Sequence, residues 1–181
     1  CHPAAGKSFV AINLAVLAAQ GGLRVCLVDG DLRRGELHRY LPRNPGDPGL
    51  SDLLREEVVL AETLCAGPVE GLSILPCGPY PPNPSDLLLR PSLSKVLHQL
   101  DAQFDLVVID EACQSTEAGI WQAILRAERV VFAGDHCQLP PTVLSDVASR
   151  EGMKVSLMER LVNHLGADVY RRLTVQYRMH D

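Results

Sequence analysis

Gly6-Lys7-Ser8 stands at the head of residues 7–20, whose apolar positions recur at helical spacing. Three such residues at a helix start can do specific chemistry. The free backbone N–H groups hold anionic oxygens, the lysine reaches outer phosphates, and the hydroxyl binds a divalent cation. The full phosphate-loop pattern is G-x-x-x-x-G-K-[ST], and here Cys1 occupies the first glycine position. A second signal lies in Leu106-Val107-Val108-Ile109, an apolar run closed by Asp110-Glu111. An acid at the carboxyl end of a parallel strand stands where open α/β sheets bind ligands. Asp110 in that place can join a Mg²⁺ shell, and Glu111 can orient and deprotonate a water. Val25-Cys26-Leu27-Val28 likewise ends in an acid, Asp29.

Each signal has a plainer reading. Gly-Lys-Ser also occurs at solvated helix N-termini, and two adjacent acids also close ordinary strand-end turns. Their presence in one chain favours a nucleotide site over either. His136 and Cys137 lack further ligands nearby and read as loop residues rather than a metal site. Trp121 reads as a packing residue. Arg33, Arg34, Arg39 and Arg43 read as a solvated loop.

The elements that would carry these residues alternate. A helix over 7–20 stops at Gly21-Gly22. Strands are expected at 25–28, 72–75, 106–109, 130–133 and 173–177. Helices are expected within 50–66, broken, and at 93–100 and 117–127, and Ser156 to Glu159 reads as a capping box. Residues 42–49 and 76–84 are Pro/Gly-rich loops. The pattern predicts an α/β fold, a mostly parallel sheet with helices on both faces.

The chain of 181 residues is long enough for one such domain with a core. A net charge of −5 leaves no global basic footprint for nucleic acid. The six cysteines form no C-x-x-C pair, which predicts reduced thiols, no structural metal and a cytoplasmic protein. The most apolar stretch, 9–19, is too short to span a membrane, and no signal peptide is visible. No apolar strand precedes Gly6, so the chain reads as a fragment lacking the strand before the phosphate loop. Oligomeric state is not legible.

Two stretches resemble known families. PAAGKSFVAINLA (3–15), VCLVDGDLRRG (25–35), GLSDLL (49–54), PPNPSDLLL (81–89) and FDLVVID (104–110) resemble the cytoplasmic domain of bacterial tyrosine kinases of capsular polysaccharide synthesis. That resemblance implies a Walker A, Walker A′ and Walker B half over 1–110. Asp29 and Asp31 would act there at the Mg²⁺ and the phosphate acceptor. VVIDEACQSTEA (107–118), AGDHCQLPPT (133–142), SLMERL (156–161) and LTVQYRMH (173–180) resemble superfamily 1 helicases of the immunoglobulin-mu-binding type. That resemblance implies motifs II, III and IV over 104–181. Asp110 and Glu111 would serve Mg²⁺ and water, Gln138 and Arg178 the terminal phosphate, and Tyr177 the adenine. The two meet in FDLVVID, so the chain reads as a chimera sharing one Walker B strand, with both halves forming one nucleotide-binding domain of P-loop NTPase type.

The expectation is therefore an ATPase with ATP and Mg²⁺ as ligands. Gly6, Lys7, Ser8 and Tyr177 bind nucleotide; Ser8, Asp29 and Asp110 bind the metal; Glu111, Gln138, Arg178 and Asp31 carry catalysis. A protein tyrosine kinase is the second reading, and an inactive nucleotide-binding module the third. The parent helicase would meet nucleic acid, but duplex unwinding by this chain is not expected. The chain has four scattered tyrosines, Tyr40, Tyr80, Tyr170 and Tyr177, and no tyrosine-rich tail, which favours hydrolysis over phosphotransfer.

Overall fold

Val25–Asp29 (β1) is buried along all five residues. A strand with no exposed face needs a neighbour on each edge and a layer on each side. Both are present. The computed structural model describes residues 7–35, 37–40, 44, 46–88, 90–110, 146–148, 150 and 155–166. Within them, β1 pairs in parallel with Leu72–Leu75 (β3) and with Leu106–Asp110 (β4). A two-residue strand, Cys65–Ala66 (β2), pairs antiparallel with β3, giving the order β2-β3-β1-β4. Lys7–Gln20 (α1) covers one face. Leu50–Arg55 (α2), Leu60–Thr63 (α3), Pro84–Leu88 (α4) and Pro91–Gln103 (α5) complete the fold around the sheet.

Alternation along the strands sorts the core into two layers. Val25, Leu27, Ile74 and Val108 pack with Ala11, Ala15 and Ala19 of α1. The alanines recur every four residues and let the helix lie close on the sheet. Cys26, Val28 and Leu75 face the other way, onto Leu50, Leu53 and Leu54 of α2 and Leu93, Val96, Leu97 and Leu100 of α5. Helix α1 has no glycine or proline in its interior and stops where expected. Gly22 takes a left-handed φ of 91°, and the N–H groups of Gly22 and Leu23 close back on the carbonyls of Ala19 and Ala18. Only residues 21–24 separate α1 from β1. The helix therefore runs antiparallel to the strand, and its N-terminus lies at the strands' carboxyl ends.

The 49–54 and 76–80 stretches interlock. Leu50 N–H donates to the Pro76 carbonyl (2.8 Å) and Ser51 N–H to the Cys77 carbonyl (2.9 Å). Ser51 Oγ donates to the Pro79 carbonyl (2.8 Å). Asp52 turns back to accept from Gly49 N–H at the start of α2 (2.9 Å). The backbones touch so closely that a Cβ on Gly49 would stand 2.3 Å from Gly78 N and 2.4 Å from Pro76 O.

The expected strands at 25–28, 72–75 and 106–109 are present, two of them longer by the closing aspartate. Ser156 caps the helix Leu157–Leu165 by accepting from Glu159 N–H (3.2 Å). The proline-rich loop is shorter than expected, because α4 begins at Pro84, where a proline suits the first helical turn. A 3-10 turn at Leu37–Tyr40 carried no sequence signal. The strands expected at 130–133 and 173–177 and the helix at 117–127 lie outside the described residues. Among the described residues no helix is long and apolar enough to cross a membrane. Cys26, Cys65 and Cys77 are not in disulfides.

The Gly49 contact makes a direct prediction. Gly49→Ala should destabilise the fold by about 1–3 kcal/mol, the usual range for overpacking a close contact. Gly46→Ala, where a Cβ would meet nothing within 4 Å, should stay within about 0.5 kcal/mol. Urea unfolding of both variants checks it; equal midpoints would contradict the interlock.

Candidate functional site

Asp29 and Asp110 end adjacent parallel strands and are partners in register. Both are buried, at 1% and 2% exposure. Two carboxylates side by side in low dielectric resist ionising together. Burial is the main cause that lifts the Asp29 carboxyl from the ordinary range to about 7. The N–H groups of Leu37 and Asp31 hold it down, and the charges of Asp110 and Asp31 push it further up.

The loop after β1 folds around the Asp29 carboxylate. Asp31 N–H donates to Oδ1 (3.2 Å) and Leu37 N–H to Oδ2 (3.1 Å). Asp31 is half-buried, and its own Oδ1 accepts from the N–H groups of Arg33 (2.9 Å) and Arg34 (3.0 Å). Both acids thus hold the loop after β1 through the N–H groups of Asp31, Arg33, Arg34 and Leu37. Gly35 presses on Asp29 so closely that a Cβ there would lie 2.5 Å from Asp29 Oδ2 and 2.5 Å from Cys77 Sγ. Burial first, then the charges of Asp29 and Asp31, push the Cys77 thiol up to about 12, so it stays protonated, and it donates to the Gly78 carbonyl (3.3 Å).

Lys7 supplies the first residue of α1 and Ser8 stands half-buried in its first turn. The antiparallel run of α1 brings this turn to the same end of the sheet as Asp29 and Asp110. Gly6, Glu111, Gln138, Tyr177 and Arg178 lie outside the described residues. The structure therefore gathers Ser8, Asp29, Asp31 and Asp110 at one end of the sheet. Sequence reading missed the surroundings of Asp29, the Leu37 N–H, Gly35 and Cys77, and missed Tyr80, which bonds to Gly35. For Cys77 and Tyr80 the signal was the density of proline and glycine in residues 76–84, which reads only as a stiff loop until its contacts are seen.

The donors at this end are oxygens, which suit a hard cation. Among the described residues no group of three or more His, Cys, Asp or Glu side chains gathers as a metal cage. Two carboxylates and a hydroxyl are nevertheless what Mg²⁺ needs, since it keeps waters and takes phosphate oxygens as remaining ligands.

Comparison with known proteins points the same way. Residues 89–146 match the AAA domain family. The kinase domain of the tyrosine kinase BceF superposes with a TM-score of 0.54 at 38% identity, over 68% of this chain and 59% of that one. The septum site-determining protein MinD of Pyrococcus horikoshii, solved with Mg-ADP, gives 0.54 at 26% identity over 70% and 51%. The chain has a P-loop NTPase fold. It is similar in sequence to two kinds of protein at once. It is 42% identical over 108 residues to the tyrosine-protein kinase ptk of Acinetobacter johnsonii, 60% of this chain and 15% of that one. It is 54% identical over 77 residues to the DNA-binding protein SMUBP-2 of Mesocricetus auratus, 42% of this chain and 8% of that one. The chain thus spans a small part of either relative's length.

The raised Asp29 has a consequence for stability. The folded state holds this proton more tightly than the unfolded chain, whose value is the ordinary 3.8. Its contribution is complete below about pH 4 and is lost as pH rises to about 7. Asp105 acts in the opposite direction, but lower. Its side-chain and backbone bonds from Arg24 hold it at about 2, so its window ends near pH 4. Metal-free thermal unfolding should therefore show a midpoint falling between pH 4 and 7.5, and Asp29→Asn should flatten that slope. Parallel curves for wild type and variant would remove Asp29 as the cause.

Proposed function

We propose that this chain binds ATP with Mg²⁺ and hydrolyses it. One observation carries the reading: two buried aspartates, in register on adjacent parallel strands, stand at the sheet end where α1 opens with Lys7 and Ser8. A site of that kind presents oxygen ligands for a cation beside a helix N-terminus that favours anions. Similarity to nucleotide-binding P-loop proteins supports it from a second direction.

In this reading Gly6, Lys7 and Ser8 hold the phosphates, with Lys7 on the outer ones. Ser8, Asp29 and Asp110 hold the Mg²⁺, which when bound neutralises charge on the phosphate oxygens. Glu111 orients a water and takes its proton. The water oxygen bonds to the terminal phosphorus as the bond to the bridging oxygen breaks, and ADP leaves. Gln138 and Arg178 stabilise the charge that develops on the terminal phosphate, and Tyr177 stacks on adenine. Residues 1–110 supply the phosphate loop and metal acids, and residues 104–181 supply the water-activating and sensing groups.

A second reading, phosphotransfer to tyrosine through Asp29, Asp31 and Asp110, is favoured by the kinase similarity. In it Asp31 would act through Oδ2, since the N–H groups of Arg33 and Arg34 engage Oδ1. Duplex unwinding is not part of the proposal.

Calorimetry with Mg²⁺–ATP should show Lys7→Ala binding more weakly by about 1.5–3 kcal/mol, the size of a charge-assisted bond. Equal affinities would remove the phosphate loop from the site. Glu111→Gln should slow phosphate release by about 100-fold or more while affinity changes only a few-fold. Phosphotyrosine formation that disappears in Asp31→Ala, with phosphate release unchanged in Glu111→Gln, would favour the kinase reading instead.

A further inference from the structure

Tyr80 belongs to the proline-rich loop, yet its hydroxyl donates to the Gly35 carbonyl at 3.0 Å, 45 residues away. The ring is half exposed, at 52%, so core packing alone does not explain its position. The loop that presents it is fixed at several points. The carbonyls of Pro76, Cys77 and Pro79 accept from Leu50 N–H, Ser51 N–H and Ser51 Oγ, and Gly78 holds a left-handed turn at φ 77°. Tyr80 is thus a donor on a rigid arm.

The residue it grips is the point where the acidic loop presses on Asp29. Gly35 lies against both Asp29 Oδ2 and Cys77 Sγ, and Leu37, two residues on, donates its N–H to that same Oδ2. Asp31 and Asp29 are tied by their own hydrogen bonds into the same loop. A bond at Gly35 therefore restrains the loop whose Asp31 and Leu37 N–H groups orient the Asp29 carboxylate. We propose that Tyr80 is a positioning residue, a latch whose phenol keeps the acidic loop closed on Asp29 and so aims the Asp29 carboxylate at the cation. The effect on the cation rests on the ATP reading above; the effect on the loop does not.

Tyr80→Phe removes one oxygen from a half-exposed ring and should leave the melting temperature almost unchanged. Hydrogen exchange in the full chain should show the Asp31 and Leu37 amides exchanging about threefold faster or more, the effect of losing one neutral hydrogen bond. The Mg²⁺ concentration for half-maximal ATP binding should rise by about the same factor, with affinity for Mg²⁺-free ATP unchanged. Unaltered exchange at Leu37 would overturn the latch. Faster exchange with an unmoved Mg²⁺ midpoint would make Tyr80 merely structural and would also overturn the proposal. A wild-type chain that takes up no Mg²⁺–ATP would sink the ATP reading instead, and the exchange comparison would still decide whether the loop is latched.

Discussion

Two carboxylates share the end of one sheet, and much of the structure around them serves to make that tolerable. Asp29 and Asp110 are buried neighbours in register. Burial, more than the charge of Asp110, opposes ionisation of Asp29. The fold answers with backbone donors. The loop 30–37 wraps back so that two of its N–H groups reach Asp29, and the 76–80 loop holds that wrap in place. The site is strained electrostatically rather than sterically. A divalent cation is the simplest partner that relieves such strain, because it turns a repelling pair into a pair of ligands.

The alignment of the two acids depends on the register of β1 with β4. At the far end of these strands, Asp105 accepts from Arg24 Nε and from its backbone N–H, and pairs with its guanidinium at 2.6 Å. That pair is exposed, and pairs of this kind contribute only about 0–1 kcal/mol. A one-residue slip of β1 would instead turn Val25 and Leu27 out of the α1 layer and onto the opposite face. Burial of each such side chain is worth about 1.5–3 kcal/mol, so the alternating core sets the register and the ion pair only marks it. Packing against α1 and α5 is therefore what brings Asp29 and Asp110 together.

Much of this was readable in the residues. Short apolar runs ending in an acid located β1 and β4 and the aspartates that close them, because a strand buried on both faces shows no polar alternation. The stop of α1 was readable because Gly21-Gly22 supplies the left-handed residue that its end requires. The environment of Asp29 was not readable. Its donors are backbone N–H groups, which every residue carries; Cys77 reaches it across a long sequence separation, and Tyr80 reaches only Gly35 beside it. The 3-10 turn at Leu37–Tyr40 was invisible for the same reason: it is held by the bond from Leu37 N–H to Asp29 rather than by its own composition. GLSDLL and PPNPSDLLL marked a resemblance in the sequence, while the structure gives part of them a mechanical role, locking the loop that borders Asp29.

The central claim is that the Asp29–Asp110 pair is a cation site for a bound nucleotide. Carboxyl ¹³C chemical shifts of Asp29, followed against pH, test it most directly. In the free protein the midpoint should lie at about 7. With Mg²⁺–ATP present, ligation of the charged form should move it down by well over about one unit, whereas Mg²⁺-free ATP should leave it in place. A midpoint that is the same in all three conditions would contradict the account.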